Sequence, residues 1–358
     1  MSNKIMLTSI FDKKTALPFD AFAPVLPEKM VVFGAGGRGQ RCRSRLQNLG
    51  IEVPFFLDND PAKHGLTIDN ALIVAPDELK IRAPHTPVLV SSWAQESIVC
   101  QLFKLGISSI YLDRATNTIE PSQIENHTKH LNDVLHILAD EQSRKTFKDV
   151  IHMRLSGEPL KYPAPYPVYR HPRVKAQPGD VIIDGGAAEG DTLKVFMDDC
   201  GQNCTMHLFE PTQTSFNQLK TFVETNKFKN TSIINMALWS SETTLQFEEN
   251  YECTHSNRVS ESGQNVVKAT SIDNYAKANS IKEINLIKLD IEGAELEALI
   301  GAQLTIRRFK PKLQICLYHK IEDLWTIPLL INNICPDYKL YISHHSCCTL
   351  DTILYCTA

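Results

Sequence analysis

The 358-residue sequence lacks several features that would each indicate a particular class of protein. No apolar run approaches the roughly 18 residues that a membrane-spanning helix requires. Positive charge is not in excess, because 37 Lys and Arg residues are set against 41 Asp and Glu residues, for a net charge of -4. A chain of this charge has no overall positive field to attract nucleic acid. We therefore expect neither a membrane span nor a nucleic-acid partner.

The ten cysteines lack the paired spacing of a zinc site, and no secretory leader precedes them. Cys200 and Cys204 are a close pair, but no second pair follows downstream. The favoured interpretation of that pair is the end of a helix followed by a strand. We expect reduced thiols and a cytoplasmic protein.

The composition, 43% hydrophobic and 22% charged, is typical of a folded globular chain, and the length suggests two domains. Residues 30–113 alternate short β-rich runs with helix-compatible stretches, which predicts βαβ units around a parallel sheet. A second βα series begins at Asp180 and ends in two adjacent strand runs, which predict an antiparallel hairpin. The expected domains are residues 1–117 and 179–358, joined by a helical connector and proline-rich strap at 118–178.

A glycine-rich turn, VVFGAGGRG, follows the first strand run. Gly34, Gly36 and Gly39 fit the pattern G-x-G-x-x-G. Asp58 ends the next strand run, and Trp93 follows a later one. This context predicts a nucleotide or NAD at the helix start, with Asp58 on a ribose hydroxyl. The segment also resembles the nucleotide-sugar-binding domains of some bacterial sugar acetyltransferases. The alternative is a tight turn retained for packing, with no ligand.

A second turn, VIIDGGAAEG, places Asp184 directly ahead of its glycines. A carboxylate there would repel a pyrophosphate but would favour a sulfonium or an ammonium group. Glu210 closes the next strand run, MHLFE, where a carboxylate suits the two ribose hydroxyls of an adenosine group. The second turn therefore favours S-adenosylmethionine over NAD.

Five segments carry a family resemblance: IIDGGAAEGDT, FEP, VVKATSIDNY, LIKLDIEGAELEALIGA and PKLQICLYHK. Through them, the chain from about Thr146 onward resembles the FkbM family of S-adenosylmethionine-dependent methyltransferases. The resemblance implies a class I methyltransferase Rossmann-like α/β sheet with an antiparallel terminal hairpin, preceded here by a smaller Rossmann-like parallel-sheet domain. It also implies methyl transfer to a hydroxyl, often of a sugar or a natural product.

The same resemblance assigns cofactor-binding positions. The methionine-end loop would comprise Asp184, Gly185, Gly186, Gly190 and Thr192, the ribose ligand would be Glu210, and the adenine would lie against Ala237 and Leu238.

Three side chains lie where strand runs stop, and these are the candidate catalytic residues: His319, Asp290 and Glu292. We favour His319 as general base, because imidazole titrates near neutral pH. Asp290 or Glu292 would position the acceptor hydroxyl or orient the imidazole. For Glu292 and Glu295 the alternative is favourable charge in a first helical turn.

Two further arrangements remain open. The three candidates and one of His344 and His345 would suit a divalent metal, although we assign no metal site. Tyr166, Tyr169 and His171 of the strap would either cover the acceptor or pack as a linker.

The sequence thus predicts an S-adenosylmethionine-dependent O-methyltransferase with a small-molecule or glycan acceptor. The alternatives are an NAD-dependent oxidoreductase that uses the amino-terminal domain, and a non-catalytic sensor of nucleotide or S-adenosylmethionine. The sequence does not determine the oligomeric state, and a homodimer is compatible with it.

Overall fold

The computed structural model describes residues 27–92, 94–113, 119, 121–248, 258–259, 263 and 265–358. The chain forms two compact units. The first comprises the described residues up to Thr128 together with Phe147–Pro163 and Ser346–Leu350, and the second comprises Lys129–Thr146, Ala164–His345 and Asp351–Ala358. The expected domain boundary after residue 117 lies outside the described residues, as does Trp93. The expected connector is divided between the two units.

In the first unit, the described residues form a six-stranded sheet. Its strands are β1 (Val31–Phe33), β2 (Phe55–Leu57), β3 (Thr67–Ile68), β4 (Ala71–Val74), β5 (Val88–Val90) and β6 (Ile110–Leu112), in the order β3-β4-β2-β1-β5-β6. Neighbouring strands are parallel except for β3 and β4. The helices are α1 (Gly37–Asn48), α2 (Leu79–Arg82) and α3 (Gln95–Lys104), with short 3₁₀ turns at Pro61–Lys63 and Pro76–Glu78. The predicted parallel sheet of βα units is therefore present.

Two helices follow, α4 (Pro121–Ile137) and α5 (Glu141–Ser156), where the sequence predicts a helical connector. Their apolar positions recur at helical spacing and are buried, as at Leu131 and Leu135 in α4 and Phe147 and Ile151 in α5. The chain breaks between the helices at Asp140, whose Oδ1 atom accepts a hydrogen bond from the Ser143 amide and so caps α5.

The second unit carries the remaining elements. Its strands are β7 (Val181–Gly185), β8 (Thr205–Phe209), β9 (Thr231–Ile234), β10 (Ala237–Leu238), β11 (Thr243–Glu248), β12 (Arg258–Val259), β13 (Asn265–Thr270), β14 (Leu286–Leu289), β15 (Lys312–Cys316), β16 (Lys339–His344) and β17 (Thr352–Thr357). Its helices are α6 (Asp191–Cys200), α7 (Gln213–Thr225), α8 (Ile272–Ala278), α9 (Glu295–Ile300), α10 (Gln303–Phe309) and α11 (Asp323–Ile334). Among the helices of the described residues, none is long and apolar enough to cross a membrane.

Seven of the described strands form the main sheet of this unit, in the order β16-β17-β15-β14-β7-β8-β9. The strands from β15 to β9 are parallel, and β17 pairs antiparallel with both β15 and β16. The predicted terminal hairpin is thus confirmed. The remaining strands form a smaller sheet in the order β10-β13-β11-β12.

The central strands β7 and β14 are buried almost throughout. Continuous apolar runs of this kind are typical of parallel strands covered on both faces. Lys288, in the middle of β14, interrupts the run although its side chain is only 1% exposed. Because parallel strands all end at the same edge of a sheet, the turns after β7, β8 and β14 meet there, and that edge is where open α/β sheets bind ligands.

Candidate active site

A cavity lies at this edge of the sheet in the second unit. Its lining includes Gly186, Ala188, Phe209, Glu210, Met236, Ala237, Leu238, Asp290, Ile291 and Glu292. The fold therefore brings six of the predicted site residues to one cavity: Gly186, Glu210, Ala237, Leu238, Asp290 and Glu292. The other residues predicted for this site, Asp184, Gly185, Gly190, Thr192 and His319, lie outside the lining.

Glu210 is held at the end of β8 with its side chain nearly buried. Its Oε2 atom accepts a hydrogen bond from the Ala188 amide at 3.1 Å, and its Oε1 atom accepts from the Thr212 amide at 2.9 Å and from the Thr212 hydroxyl at 2.5 Å. Burial raises the pKa of Glu210, although these hydrogen bonds oppose the rise. The carboxylate thus joins two loops that border the cavity, and it also faces the cavity itself.

The glycines of the second turn are required by packing. Gly186 has φ of +73°, and a Cβ atom there would lie 1.8 Å from the carbonyl oxygen of Asp290. At Gly190, where φ is +104°, a Cβ atom would lie 2.7 Å from the Phe222 ring. Side chains are excluded at both positions because the turn lies directly against its neighbours.

Asp184 faces the interior of the protein and makes an ion pair with Lys288. The Nζ atom of Lys288 lies 2.9 Å from Oδ1 of Asp184 and donates to the carbonyl oxygens of Gly185 and Gly186, at 3.2 and 2.8 Å. Burial opposes the charged ammonium, but Asp184 and Asp290 outweigh it and raise the pKa of Lys288. Asp184 is therefore a positioning residue for the glycine turn in this structure. Its expected contact with the methyl donor stays a prediction.

His319 is surrounded by carboxylates. Its Nδ1 atom lies 2.9 Å from Oε1 of the fully buried Glu295, and its Nε2 atom lies 3.5 Å from both Oδ1 of Asp290 and Oε2 of Glu292. Burial lowers the pKa of His319, but the three carboxylates outweigh it and raise the pKa to about 9. These carboxylates favour the protonated imidazole, which opposes a role for it as general base. The assignment of His319 as general base stays a prediction.

The chain turns between Asp290 and Glu292 and enters α9 at Glu295, as the sequence suggested. Glu292 has φ of +54°, in the left-handed region that side chains other than glycine seldom adopt. The Oε1 atom of Glu295 accepts a hydrogen bond from the Ile291 amide at 2.8 Å, which ties the turn to the start of the helix. This turn points the carboxylates of Asp290 and Glu292 at the same imidazole nitrogen.

Asp290 is held from the other side by two tyrosines. The hydroxyl of Tyr169 donates to Oδ2 and the hydroxyl of Tyr318 donates to Oδ1, both at 2.8 Å. Burial disfavours the carboxylate, but Lys288, His319 and these hydroxyls lower the pKa of Asp290 below its usual value. The strap residue Tyr169 is thus a buried support for Asp290.

The other strap aromatics pack within the fold. His171 stacks on Tyr355 with ring centroids 4.9 Å apart, and Tyr166 bonds to the Ser343 hydroxyl. Of the open alternatives for the strap, linker packing is the one that these contacts favour.

His344 and His345 bond to groups other than the carboxylates around His319. Nδ1 of His344 lies 2.8 Å from the Thr352 hydroxyl, and Nε2 of His345 lies 2.9 Å from the Tyr355 hydroxyl. Among the described residues, the cluster with metal-ligand spacing is Asp290, Glu295 and His319.

Sequence reasoning did not assign the apolar part of the cavity beyond Ala237 and Leu238. Phe209, Met236 and Phe247 also line it. Phe209 and Met236 each come directly before a predicted site residue in the sequence, so this adjacency could have indicated them. Phe247 lies on β11, and no local pattern associates that strand with the cavity.

The glycine turn of the first unit is also explained largely by packing. A Cβ atom at Gly39 would lie 1.7 Å from the carbonyl oxygen of Gly34, and one at Gly34 would lie 2.4 Å from that of Ser91. Only Gly36 has open space around it among these three glycines. Asp58 accepts hydrogen bonds from the Ala35 amide at 2.9 Å and from Lys63 Nζ at 3.0 Å. These contacts favour the packing alternative, and the ribose contact of Asp58 stays a prediction.

A family model described as the methyltransferase FkbM domain matches residues 184–334, which include every residue of the cavity lining. Residues 184–334 are an FkbM methyltransferase domain. The resemblance noted in the sequence is thus confirmed for this part of the chain, and the cavity lies within the matched residues.

The fold is also found in a solved structure. The chain is similar to the methyltransferase FkbM of Methylobacillus flagellatus KT, with 19% identity and a TM-score of 0.66, over 98% of this chain and 93% of that one. This likeness shows a shared α/β methyltransferase fold. No curated protein matches the chain significantly.

Two more distant similarities cover 51% of the chain. One is to Aeropyrum pernix fibrillarin in complex with S-adenosyl-L-methionine, with 12% identity, 67% of that chain and a TM-score of 0.34. The other is to an rRNA methylase of Streptococcus thermophilus, with 12% identity, 88% of that chain and a TM-score of 0.32. Scores this low do not bear on the substrate. The nucleotide or NAD expected at the amino-terminal turn gains no support from these similarities and stays a prediction.

Proposed function

We propose that the FkbM domain transfers a methyl group from S-adenosylmethionine to a hydroxyl group of a small-molecule or glycan acceptor. The observation that carries this proposal is the cavity itself. It has a buried carboxylate and an apolar surface at the ends of β8 and β10, and a pair of carboxylates, Asp290 and Glu292, after β14. The family of the domain supports methyl transfer, and the residues supply the detail.

The lining fits an adenosine group. Glu210 offers a carboxylate whose oxygens are fixed by the amides of Ala188 and Thr212, so it would accept from ribose hydroxyls without reorganising. Ala237 and Leu238 are buried apolar residues that would contact the adenine ring, together with Phe209. Gly186 would bring the turn close to the methionine end, where the ion pair of Asp184 and Lys288 fixes its carbonyl groups.

When bound, S-adenosylmethionine supplies a methyl carbon on a sulfonium, which the acceptor oxygen takes as the carbon–sulfur bond breaks and its electron pair stays on sulfur. The chain's contribution is chiefly alignment, which is worth up to roughly 7 to 11 kcal/mol in well-oriented systems. Asp290 and Glu292 line the cavity, and the acceptor hydroxyl would lie against them. Their carboxylates would hold the hydroxyl and accept its proton there.

Ligand-dependent thermal unfolding of the full chain tests the proposal. S-adenosylhomocysteine at a hundred times its dissociation constant should add about 2.7 kcal/mol of stability. Glu210→Gln should abolish the shift, whereas Glu189→Gln removes a charge from an exposed residue of the glycine turn after β7 and should retain it. Methyl transfer to a panel of sugars and other alcohols, followed with labelled S-adenosylmethionine, then identifies the acceptor class.

The contrary results are also specific. A shift with NAD or UDP and none with S-adenosylhomocysteine would contradict the proposed donor. It would favour the nucleotide site predicted for the amino-terminal unit. Binding of S-adenosylhomocysteine that does not depend on Glu210 would contradict the assignment of this cavity. If the donor binds but substitution of both Asp290 and Glu292 leaves methyl transfer intact, the assigned role of these carboxylates is wrong.

A further inference from the structure

The imidazole of His319 has a carboxylate hydrogen-bonded to one nitrogen and two carboxylates facing the other. Oε1 of Glu295 lies 2.9 Å from Nδ1, whereas Asp290 and Glu292 each place an oxygen 3.5 Å from Nε2. The His319 side chain is only 8% exposed, and its Nε2 atom makes no hydrogen bond to any described residue. A buried ring nitrogen is thus directed between two carboxylates without bonding closely to either.

The two distances from Nε2, to Oδ1 of Asp290 and to Oε2 of Glu292, suit a cation bound between the imidazole and these carboxylates. Nitrogen and oxygen ligands lie about 2.0 to 2.2 Å from a divalent metal. Two such ligands that are adjacent in an octahedral or tetrahedral site are therefore roughly 3.0 to 3.5 Å apart. The observed separations of 3.5 Å from Nε2 to Asp290 and to Glu292 need little or no contraction to reach this range.

The surrounding groups are those that support metal ligands. A metal-bound histidine usually donates its other N–H group to a carboxylate, which fixes the ring and its tautomer. Glu295 stands in that position, fully buried at the start of α9. Asp290 is fixed in turn by the hydroxyls of Tyr169 and Tyr318.

We propose that His319 Nε2, Asp290 and Glu292 bind one divalent transition-metal cation, for which Mn²⁺ is the representative, and that Glu295 is the positioning residue for His319. One imidazole with two carboxylates is a donor set that suits Mn²⁺ and its neighbours among the transition metals better than Ca²⁺, which takes oxygen ligands alone. The sequence led us to assign no metal, so this site is a departure from that expectation, and its ligands exclude His344 and His345.

The role of the cation rests on the proposed function. Asp290 and Glu292 line the same cavity as Glu210, so a cation that they hold would lie at the acceptor end. With the cation bound, the two carboxylates would act on the acceptor through the metal and would not take the proton directly. The cation would bind the acceptor hydroxyl and lower its pKa, so that the proton leaves to water and the oxygen attacks the methyl carbon. The new bond is oxygen to carbon, and the electron pair of the broken carbon–sulfur bond stays on sulfur.

Calorimetric titration of the chelator-treated full chain with MnCl₂ tests the site. We expect one Mn²⁺ per chain. Glu292→Gln, at a partly exposed turn position, should weaken binding by roughly 10- to 100-fold or more, and Glu295→Gln should weaken it within that range. Glu297→Gln removes the same charge from the same short helix but lies outside the cluster, so it should bind as the unaltered chain does.

Spectroscopy identifies the nitrogen ligand. The electron spin echo of bound Mn²⁺ should show modulation from a coordinated ¹⁴N nucleus, and His319→Gln should remove it. The site is disproved if the unaltered chain binds no Mn²⁺ at millimolar concentration, in which case a proton on His319 alone balances the carboxylates. Equal affinity in Glu292→Gln and Glu297→Gln would also disprove it.

Binding of S-adenosylhomocysteine, measured on the same samples, separates this inference from the proposed function. Donor binding without Mn²⁺ binding rejects the cation alone. Mn²⁺ binding that depends on Glu292, without donor binding, supports the cation site and rejects the proposed donor.

Discussion

The ammonium group of Lys288 lies 2.9 Å from the carboxylate of Asp184, and the two side chains are 1% and 0% exposed. The same ammonium donates to the carbonyl oxygens of Gly185 and Gly186, so one buried charge links β14 to the glycine turn after β7. The turn that borders the cavity is thus held by a side chain that does not line it.

Breaking this ion pair should destabilise the protein strongly. Lys288→Met leaves Asp184 buried without its counter-ion, and such changes cost about 3 to 5 kcal/mol. Urea unfolding followed by circular dichroism measures the loss. The exposed pair of Lys310 and Asp337 provides the control, since Asp337→Asn should leave the midpoint essentially unchanged.

The double variant Lys288→Met with Asp184→Asn should be more stable than Lys288→Met alone, because no charge is then left without a partner. Equal stability of the single and double variants would show that the pair is not coupled.

Gly186→Ala should damage both stability and donor binding. The substitution adds a Cβ atom 1.8 Å from the Asp290 carbonyl oxygen at a residue with φ of +73°, so the turn must move. Gly179→Ala is the matched control, because φ is +94° there and nothing lies within 4 Å of an added Cβ. Gly179→Ala should lower the free energy of unfolding only by the cost of placing alanine in the left-handed backbone region, about 1 to 2 kcal/mol. Calorimetry with S-adenosylhomocysteine should show lost binding for Gly186→Ala alone.

The stability of the second unit should fall in mild acid because of His171. Burial lowers the pKa of this imidazole to about 4, whereas an unfolded chain has a value near 6.5. Between these values the unfolded state binds more protons, so stability rises with pH and is lost as the pH falls. The contribution of His171 should decrease by about 2 kcal/mol between pH 7 and pH 5.

Unfolding by urea at several pH values measures this slope. His171→Phe keeps an aromatic ring against Tyr355 and removes the titrating group, so its slope should be smaller by that amount. If the slope is unchanged in His171→Phe, other groups produce it.

The two glycines of the amino-terminal turn should differ in their response to alanine. Gly39→Ala places a Cβ atom 1.7 Å from the Gly34 carbonyl oxygen, whereas Gly36→Ala meets nothing within 4 Å. We expect Gly39→Ala to lower the unfolding midpoint and Gly36→Ala to leave it unchanged. Equal loss at both positions would mean that Gly36 has a contact with the turn that its open surroundings do not suggest.

The sequence predicted the strands of the seven-stranded sheet and their order of appearance, for a local reason, but it did not predict β11, β12 and β13 of the smaller sheet. Continuous apolar runs, such as VII before Asp184 and LI before Lys288, are typical of parallel strands in a sheet that is covered on both faces. The end of each run also marks a strand end, so the sequence alone is enough to place Glu210, Asp290 and the glycine turn at one edge of the sheet.

The charges within the site were not predictable in this way. Tyr169 donates to Asp290 across 121 positions of the chain, and nothing local to either residue indicates that contact. His319 was expected to titrate near neutral pH because isolated imidazole does. Its actual neighbours, Glu295 above all, come from another strand-to-helix turn and raise its pKa to about 9.

The sequence by itself determined the α/β class, the terminal hairpin, the family of residues 184–334 and the edge of the sheet where the cavity lies. These follow from apolar periodicity and from short motifs, which are properties of neighbouring residues. Only the tertiary structure decided that Asp184 pairs with Lys288, that Glu295 orients His319, and that Asp290 and Glu292 face the same ring nitrogen. Electrostatic environment depends on distances between residues remote in the chain, and folding alone sets those distances.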